Sequence, residues 1–465
     1  MEKFDDIVFG GGKGGKSLAM ALGPAGHKVA LVERGQIGGT CINVACIPTK
    51  TMVASAKLLE MAEHAGDFGV ELKPAGDSLK GIIDRKNRVV KDMVDAHRKL
   101  FTSTENMELI LGQGKFIGPK QIEVTLGDGS IRTLTADRIY INTGSKTALP
   151  VVPGLEDIPY LTSTTVMQLE RLPEHLVVVG GGYIALEFAQ VFKRLGSQVT
   201  VLLRGERFLP REDADIASEI KRLLEEDGIA FISNAEISKF SLSESKNADG
   251  TEAINIAFSA EKGEQTIHCS HVLLAIGRTP NTKDLNLEAA GIITTTGGAI
   301  KVDEYLKTNV EDVWAIGDCN GGPLFTHASW DDYRIIRDNV LHNAGRKTTD
   351  RLMPYTLFID PELGRVGLTE EQARKQGFDV AVAKIPAAKI PRAVTSGETR
   401  GVLKAVIDRK TGQILGCSLL CHNAGEIMSV VQMAMIGKLT YQTVANTIFT
   451  HPTMAESLNI LLATI

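Results

Sequence analysis

The sequence predicts an α/β chain built from two βαβ units and a C-terminal α+β unit. Three observations predict it. A strand-like run, a glycine turn, a small-residue helical stretch and a second strand occur in that order near the N-terminus, and again after residue 175. Each copy satisfies G-x-G-x-x-G or its alanine variant, the pattern of Rossmann-like dinucleotide-binding units, in which backbone N–H groups can approach a pyrophosphate. Residues 345–465 lack the motif and alternate strand-like and helical runs. At 465 residues the chain exceeds what one core sustains and suggests about three domains.

Composition narrows the class. A hydrophobic content of 43% and a charged content of 23% are ordinary for a globular protein. A formal net charge of −5 argues against a nucleic-acid footprint. No apolar run reaches the length of a membrane helix, so no membrane association is expected. The start, Met1 to Gly12, enters a strand-like run and then glycines, which leads to the expectation of no signal or transit peptide and of a cytoplasmic location.

The first unit opens on Asp6-Ile7-Val8-Phe9, a short buried strand. Gly10, Gly12 and Gly15 fill the motif glycines, and the second strand, Lys28 to Val32, ends in Glu33. Glycines permit the tight turn, and an acid about 20 residues on is placed to accept hydrogen bonds from a ribose. The segment from Asp77 to Thr102 is charged and periodic and reads as a long exposed helix. Short strands are expected at Leu109–Leu111, Gln121–Val124 and Arg138–Ile141. The second unit runs from Leu176–Val179 through Gly180, Gly182 and Ala185 to the strand Val199–Leu203. Its second strand ends on Arg204, with Arg207 and Arg211 nearby, rather than on an acid. An arginine there accommodates a 2′-phosphate, which argues for NADPH over NADH, although NADH is also possible. Two such units imply two dinucleotides. In the C-terminal unit, Thr356–Phe358 and Val402–Ile407 look like strands.

Residues 38–50, Gly-Gly-Thr-Cys-Ile-Asn-Val-Ala-Cys-Ile-Pro-Thr-Lys, hold Cys41 and Cys46. In a regular helix, Cα atoms five positions apart lie roughly 8–9 Å from each other. A disulfide needs about 4.4–6.8 Å. If the two bridge, the backbone between them is not a regular helix. Pro48 can sit in the first turn of a following helix, and a helix start lowers a thiol pKa. Such a pair reads as catalytic in a chain with no secretory features, against the alternative of two small buried apolar residues. The other cysteines, Cys269, Cys319, Cys417 and Cys421, read as packing residues. Cys417 and Cys421 fall on one strand-like run, roughly 13 Å apart, too far to bridge.

The stretch Gly-Gly-Thr-Cys-x-Asn-x-x-Cys-Ile-Pro-x-Lys resembles the redox-disulfide signature of the class I FAD-dependent flavoprotein disulfide reductases, which include dihydrolipoyl dehydrogenase, glutathione reductase and mercuric reductase. The resemblance implies that Cys41 attacks the substrate and Cys46 lies against the flavin. It places Lys50 in an ion pair with Glu187 beside the flavin. Asn142-Thr143-Gly144-Ser145 and Leu273 to Asn281 resemble the crossings between domains, with Asn142 where the family has alanine. Val313 to Asp318 resembles the turn whose aspartate binds the flavin's ribityl chain. Gly39, Thr40 and Gly114 join Gly10, Gly12, Gly15, Glu33, Lys50, Thr143, Gly144 and Asp318 as implied FAD contacts. Gly180, Gly182, Ala185, Glu187, Arg204 and Gly277 are the implied NAD(P)H contacts. His451-Pro452-Thr453-x-x-Glu456 resembles the element that a partner subunit contributes, which implies a homodimer, His451 as acid/base and Glu456 as its partner. No metal site is implied. The family has glycine where Ala45 stands; if that position needs φ > 0, Ala45 would be strained. The implied domains are 1–148, FAD-binding with the redox disulfide; 149–278, NAD(P)H-binding; 279–344, returning to the FAD domain; and 345–465, dimerisation.

Within the family, the sequence is most similar to the reactive-chlorine-resistance flavoproteins, a group that includes the hypothiocyanous acid reductases. Gly39–Asn43, Pro48–Thr51, Asp84–Asn87, Phe325–Asp338 with its Asp331-Asp332-Tyr333-Arg334, and Ile390–Ala393 carry the likeness. His327 stands where that group tends to carry an aromatic. The resemblance implies reduction of hypothiocyanous acid to thiocyanate. The alternatives are a glutathione, lipoamide or mercuric ion reductase. The sequence ends Leu461-Leu462-Ala463-Thr464-Ile465 and has no terminal cysteine pair, so capture of mercury by two thiolates gains no support.

Overall fold

The computed structural model describes residues 1–72, 79–247, 250 and 252–465. The chain divides into two compact units, each assembled from three segments.

The first unit comprises Met1–Thr51, Ile83–Ala148 and Gly277–Arg351. Its sheet contains β1 (Glu2–Phe9), β2 (Val29–Glu33), β3 (Met107–Gly118), β4 (Gln121–Leu126), β5 (Ile131–Ile141) and a late strand, β15 (Val313–Ala315). β1 lies between β2 and β5 and is parallel to both, and β15 runs parallel to β5. β3 pairs in parallel with β2 over Met107–Leu111, then antiparallel with β4. The strands expected at Leu109–Leu111, Gln121–Val124 and Arg138–Ile141 fall within β3, at the start of β4 and at the end of β5.

Alternation along β1 explains its two faces. Val8 packs with Leu18, Ala19 and Leu22 of helix α1 (Lys13–Leu22), while Ile7 and Phe9 pack with Phe116, Ile139 and Ala315 on the other side. Asp6 is the exception in the strand. It is fully buried and its carboxylate takes Arg138 Nε at 2.7 Å, the Tyr140 hydroxyl at 3.1 Å and His27 Nδ1 at 2.6 Å. A short ladder, β6 (Ser145–Thr147) with β14 (Arg278–Pro280), completes the unit, along with helix α7 (Thr326–His342).

Helix α2 (Gly39–Val44) and helix α3 (Cys46–Glu63) follow β2. The long helix is α4 (Leu79–Ser103), mostly exposed as expected; residues 77 and 78 of the expected span lie outside the described residues.

The second unit comprises Met52–Ile82, Leu149–Ile276 and Leu352–Ile465. A parallel sheet of β7 (His175–Val179), β8 (Gln198–Leu202), β9 (Ala230–Ile232) and β13 (His271–Leu274) carries α5 (Tyr183–Arg194) and α6 (Ala214–Glu226). An antiparallel sheet of β10 (Glu236–Lys246), β11 (Glu252–Ala260) and β12 (Gly263–Cys269) shares their core. Residues after 352 form an antiparallel sheet in the order β16 (Tyr355–Leu357), β17 (Leu363–Gly367), β20 (Ile414–Leu420), β19 (Val402–Asp408) and β18 (Val380–Pro386). Helices α8 (Glu370–Lys375), α9 (Pro391–Thr395), α10 (Ala424–Ile436), α11 (Tyr441–Ala445) and α12 (Ser457–Leu462) accompany it. Thr369 and Gln372 form a reciprocal capping box at the start of α8. Among the described residues no helix is long and apolar enough to cross a membrane.

Candidate active site

The first glycine turn is built as its sequence requires. Gly10 has φ +93°, and a Cβ there would fall inside contact of the Asn142 carbonyl. A Cβ at Gly15 would strike the Gly10 carbonyl. Gly12 is the N-cap of α1, whose first N–H groups therefore face the turn. Gly39 seats α2 against this turn, with its Cβ position 2.6 Å from Gly12 Cα. Glu33 closes the turn: Gly11 N–H donates to Oε2 and Gly35 N–H to Oε1, both at 2.7 Å. Thr40 is exposed at the start of α2. Gly114 lies on β3, and the ring of Phe9 fills the space where its Cβ would be.

Sequence reasoning passed over Asn142 as a tolerable substitution. It is buried, and its side chain joins three elements. Gly15 N–H donates to Oδ1 at 2.7 Å, and Nδ2 donates to the Ile316 carbonyl at 2.8 Å and to Ser329 Oγ at 3.3 Å. Beside it, the buried Thr143 hydroxyl has no hydrogen-bond partner among the described residues. Gly144 has φ +68° and open space at its Cβ position. Ser145 Oγ donates to Asp318 Oδ2 and accepts from Arg278 Nε at 2.7 Å.

The backbone between the two central cysteines breaks at Ala45, which has φ −141° and ψ −104°. Ala45 is therefore not in the left-handed region, so the condition under which replacing glycine would strain it is not met. Cys41 closes the first turn of α2, Cys46 begins α3, and Pro48 sits in the first turn of α3. Both are free thiols, and Cys46 is near enough to raise the pKa of Cys41. Thr326, the first residue of α7, places its Oγ1 3.3 Å from Cys46 Sγ. The helix start expected to lower a thiol pKa is that of α3, which Cys46 begins. Cys41 stands before it, and there hydrogen bonding with the Cys46 thiol and then burial push the thiol up, against weaker pulls from Thr326 and the Lys16 ammonium. Two thiols that share a proton cannot both ionise easily.

The remaining cysteines are buried. Burial pushes Cys269, Cys319 and Cys417 up to about 12. They are inert packing groups, as expected.

In the second unit, Gly180 has φ +118° and a Cβ there would strike the Ala275 carbonyl; Gly182 caps α5 and Ala185 is fully buried. Gly277, at φ +135°, belongs to the first unit, in the turn before β14. β8 ends at Leu202, and Arg204, Arg207 and Arg211 are all exposed beyond it. Glu187 is buried on α5 and its Oε1 accepts from Phe358 N–H at 3.0 Å.

His451 lies just before α12, with Nδ1 3.0 Å from Glu456 Oε2; its side chain is 71% exposed and that of Glu456 11%. Thr453 N–H also donates to Glu456 Oε2, at 3.3 Å. His327 is exposed and stacks on Phe325 with centroids 5.1 Å apart.

The structure thus gathers the first glycine turn, Glu33, Gly39, both cysteines, Lys50, Thr143, Gly144 and Asp318 in the first unit. Gly180, Gly182, Ala185, Arg204, Glu187, His451 and Glu456 fall in the second. Asp331 and Asp332 anchor arginines: Asp332 Oδ1 meets Arg351 Nη1 at 2.5 Å while its Oδ2 accepts from Gly317 N–H at 2.8 Å, and Asp331 meets Arg334 at 2.7 Å. Thr326 and Lys16 were not singled out from the sequence; their signal lies in contacts across the fold.

A family model described as pyridine nucleotide-disulphide oxidoreductase matches residues 4–332, and one for the dimerisation domain of the same proteins matches residues 353–461. The chain is 41% identical over 463 residues to the probable pyridine nucleotide-disulfide oxidoreductase RclA of Escherichia coli (strain K12), covering 99% of this chain and 98% of that protein. It is 32% identical over 459 residues to the mercuric reductase of Lysinibacillus sphaericus, covering 99% of this chain and 82% of that one. The solved copper(II) complex of the HOCl-induced flavoprotein disulfide reductase RclA from Escherichia coli superposes with a TM-score of 0.91 at 40% identity, over 100% of both chains.

Proposed function

The chain belongs to the pyridine nucleotide-disulphide oxidoreductase family, and from that premise we propose that it reduces hypothiocyanous acid to thiocyanate through Cys41 and Cys46. It is a flavoprotein disulfide reductase of a FAD-dependent family that also uses a pyridine nucleotide. The observation that carries the reading is the pair of free thiols on either side of the break at Ala45, with the Thr326 hydroxyl 3.3 Å from Cys46 Sγ.

The residues present suit a dinucleotide in the first unit. A glycine cradle that no Cβ could enter and an orphaned buried hydroxyl at Thr143 are what such a ligand would complete. Gly10, Gly12, Gly15, Gly39 and the α1 N–H groups would hold the pyrophosphate, Glu33 the ribose, and Thr143, Gly144 and Asp318 the remainder. Bound there, FAD would supply the two electrons that open a Cys41–Cys46 disulfide, the pyridine nucleotide being their source. Gly180, Gly182, Ala185, Glu187 and Gly277 would hold that nucleotide, and exposed Arg204 favours a 2′-phosphate, hence NADPH. The division at residues 148, 278 and 344 serves as the domain scheme, and the enzyme works as a cytoplasmic homodimer in which His451 of a second copy reaches Cys41.

In the chemical step, Cys41 thiolate attacks the sulfur of hypothiocyanous acid, forming an S–S bond and releasing hydroxide. His451, oriented by Glu456, protonates that hydroxide to water. Cys46 thiolate then attacks Cys41 sulfur, closing the disulfide and expelling thiocyanate. Thr326 steadies the sulfur charge during the exchange. The RclA of Escherichia coli that this chain resembles is HOCl-induced, which fits a role against reactive chlorine and its products.

The test is NADPH oxidation by the FAD-loaded enzyme with hypothiocyanous acid, oxidised glutathione or lipoamide. Fast turnover with hypothiocyanous acid, lost in Cys46→Ser with FAD retained, is the expected result. Turnover with only a conventional disulfide, or an active Cys46→Ser, would overturn the reading.

A further inference from the structure

Lys16 is the fourth residue of α1 and is only 5% exposed. Among the described residues no carboxylate and no hydrogen-bond acceptor pairs with its ammonium or with that of Lys13. An uncompensated buried ammonium is unfavourable, and burial first, then the charge of Lys13, hold Lys16 down to about 8 while Cys41 pulls it back up. Lys16 is therefore within electrostatic reach of both Lys13 and Cys41. Lys13 Nζ sits 4.7 Å from the centre of the Trp330 ring, and the Arg334 guanidinium 5.0 Å from the same ring. Trp330 is on α7, and α7 meets α1 so closely that a Cβ at Gly14 would press on Ser329. Arg334 is offset by Asp331; the two lysines are not. Gly39 seats the start of α2, two residues before Cys41, against Gly12 at the start of α1, so Lys16 lies near the reactive thiol, with Lys13 on the indole face of Trp330 one turn before it.

We propose that Lys16, with Lys13 and Trp330 beside it, forms an anion site adjoining Cys41 that takes a small polarisable monoanion, thiocyanate as product or the conjugate base of its acid as substrate. The proposal rests on Cys41 being the attacking thiol. A weakly hydrated anion sheds water readily, and an ammonium flanked by an aromatic face receives it better than a fully solvated one. The anion also restores the missing counter-charge, so it stabilises the buried Lys16. The flavin pyrophosphate is the other anion these lysines could meet, since the glycine turn begins the same helix.

The experiment titrates the FAD-loaded enzyme with sodium thiocyanate at constant ionic strength, chloride being the control, and follows the flavin absorbance. Saturable binding by thiocyanate over chloride is expected. Lys16→Gln should weaken it tenfold or more, Lys16→Arg by less than threefold, and the half-buried Lys13→Gln by about threefold, all with FAD retained. Absence of thiocyanate-specific binding in the wild type overturns the proposal. So does unchanged binding in Lys16→Gln, or loss of FAD from that variant, which assigns the lysines to the pyrophosphate. If Lys16→Gln does not fold, Lys13→Gln decides. An enzyme that binds thiocyanate at Lys16 yet fails to reduce hypothiocyanous acid leaves this site standing and removes the proposed substrate.

Discussion

Replacing Asn142 by alanine removes the one side chain that ties the first glycine turn to the ends of β5 and β15. Two strong contacts vanish, Gly15 N–H to Oδ1 at 2.7 Å and Nδ2 to the Ile316 carbonyl at 2.8 Å, with a weaker one to Ser329. The first leaves a buried N–H unpaired, at about 1–3 kcal/mol. The Ile316 carbonyl keeps only the Cys319 thiol, a weak donor at 3.3 Å, and its loss lies toward the lower end of that range. The 3.3 Å contact adds little, because the Ser329 oxygen is only the acceptor of a long bond. The sum is about 2–4 kcal/mol. Both tryptophans, Trp314 and Trp330, lie in the first unit, so tryptophan fluorescence reports its unfolding alone. Denaturant titration of flavin-free protein keeps ligand linkage out of the comparison. Asn142→Asp should be worse than alanine, since a carboxylate oxygen would then face the Ile316 carbonyl without a proton between them. A loss below about 1 kcal/mol in the alanine variant would refute the claim that Asn142 holds the turn.

Two other perturbations follow from buried groups. Asp6→Ala strips Arg138, Tyr140 and His27 of a shared acceptor inside the first unit; breaking a buried ion pair of this kind costs about 3–5 kcal/mol, readable in the same fluorescence titration. His175 donates from Nδ1 to the His268 carbonyl and takes the Thr200 hydroxyl at Nε2, both at 2.9 Å, and burial holds its pKa below the usual imidazole value of 6.5. The unfolded chain then binds the proton first, so this contribution is intact above pH 6.5 and is lost as pH falls below it. Circular dichroism melts at pH 7.5 and pH 5.5 should show a smaller acid penalty in His175→Gln than in wild type; equal penalties would assign the sensitivity elsewhere.

The glycine turns and the cysteine pair were legible because their requirements are local. A positive φ at Gly10 and Gly180, and a carbonyl where a Cβ would go, leave a mark on the residue itself. The break between Cys41 and Cys46 was legible for the same reason: the bridge geometry forbids a helix, and the chain breaks at Ala45. What the chain does with Asn142, Thr326 and Lys16 was not legible. Asn142 meets Gly15 across 127 positions and Ser329 across 187, and Thr326 meets Cys46 across 280. No periodicity or motif encodes such distances. The raised Cys41 pKa was not legible either, because a neighbouring thiol that competes for the same proton acts across a helix break. Strain at Ala45 depended on a positive φ there, and the break is made at negative φ instead.

The interleaving of the two units bears on how the protein can be made. The chain leaves and re-enters each unit, with boundaries after Thr51, Ile82, Ala148, Ile276 and Arg351. During synthesis, β1 to β5 emerge early, but β15, which lies beside β5, and α7, which covers α1, are encoded after residue 312. The first unit must therefore wait, with one sheet edge and one apolar face unclosed, while most of the second unit leaves the ribosome. The second unit waits longer still, for everything beyond Leu352. Neither half can be cut out as a continuous stretch of gene, and the nascent chain depends on its exposed surfaces staying solvated until the last quarter arrives.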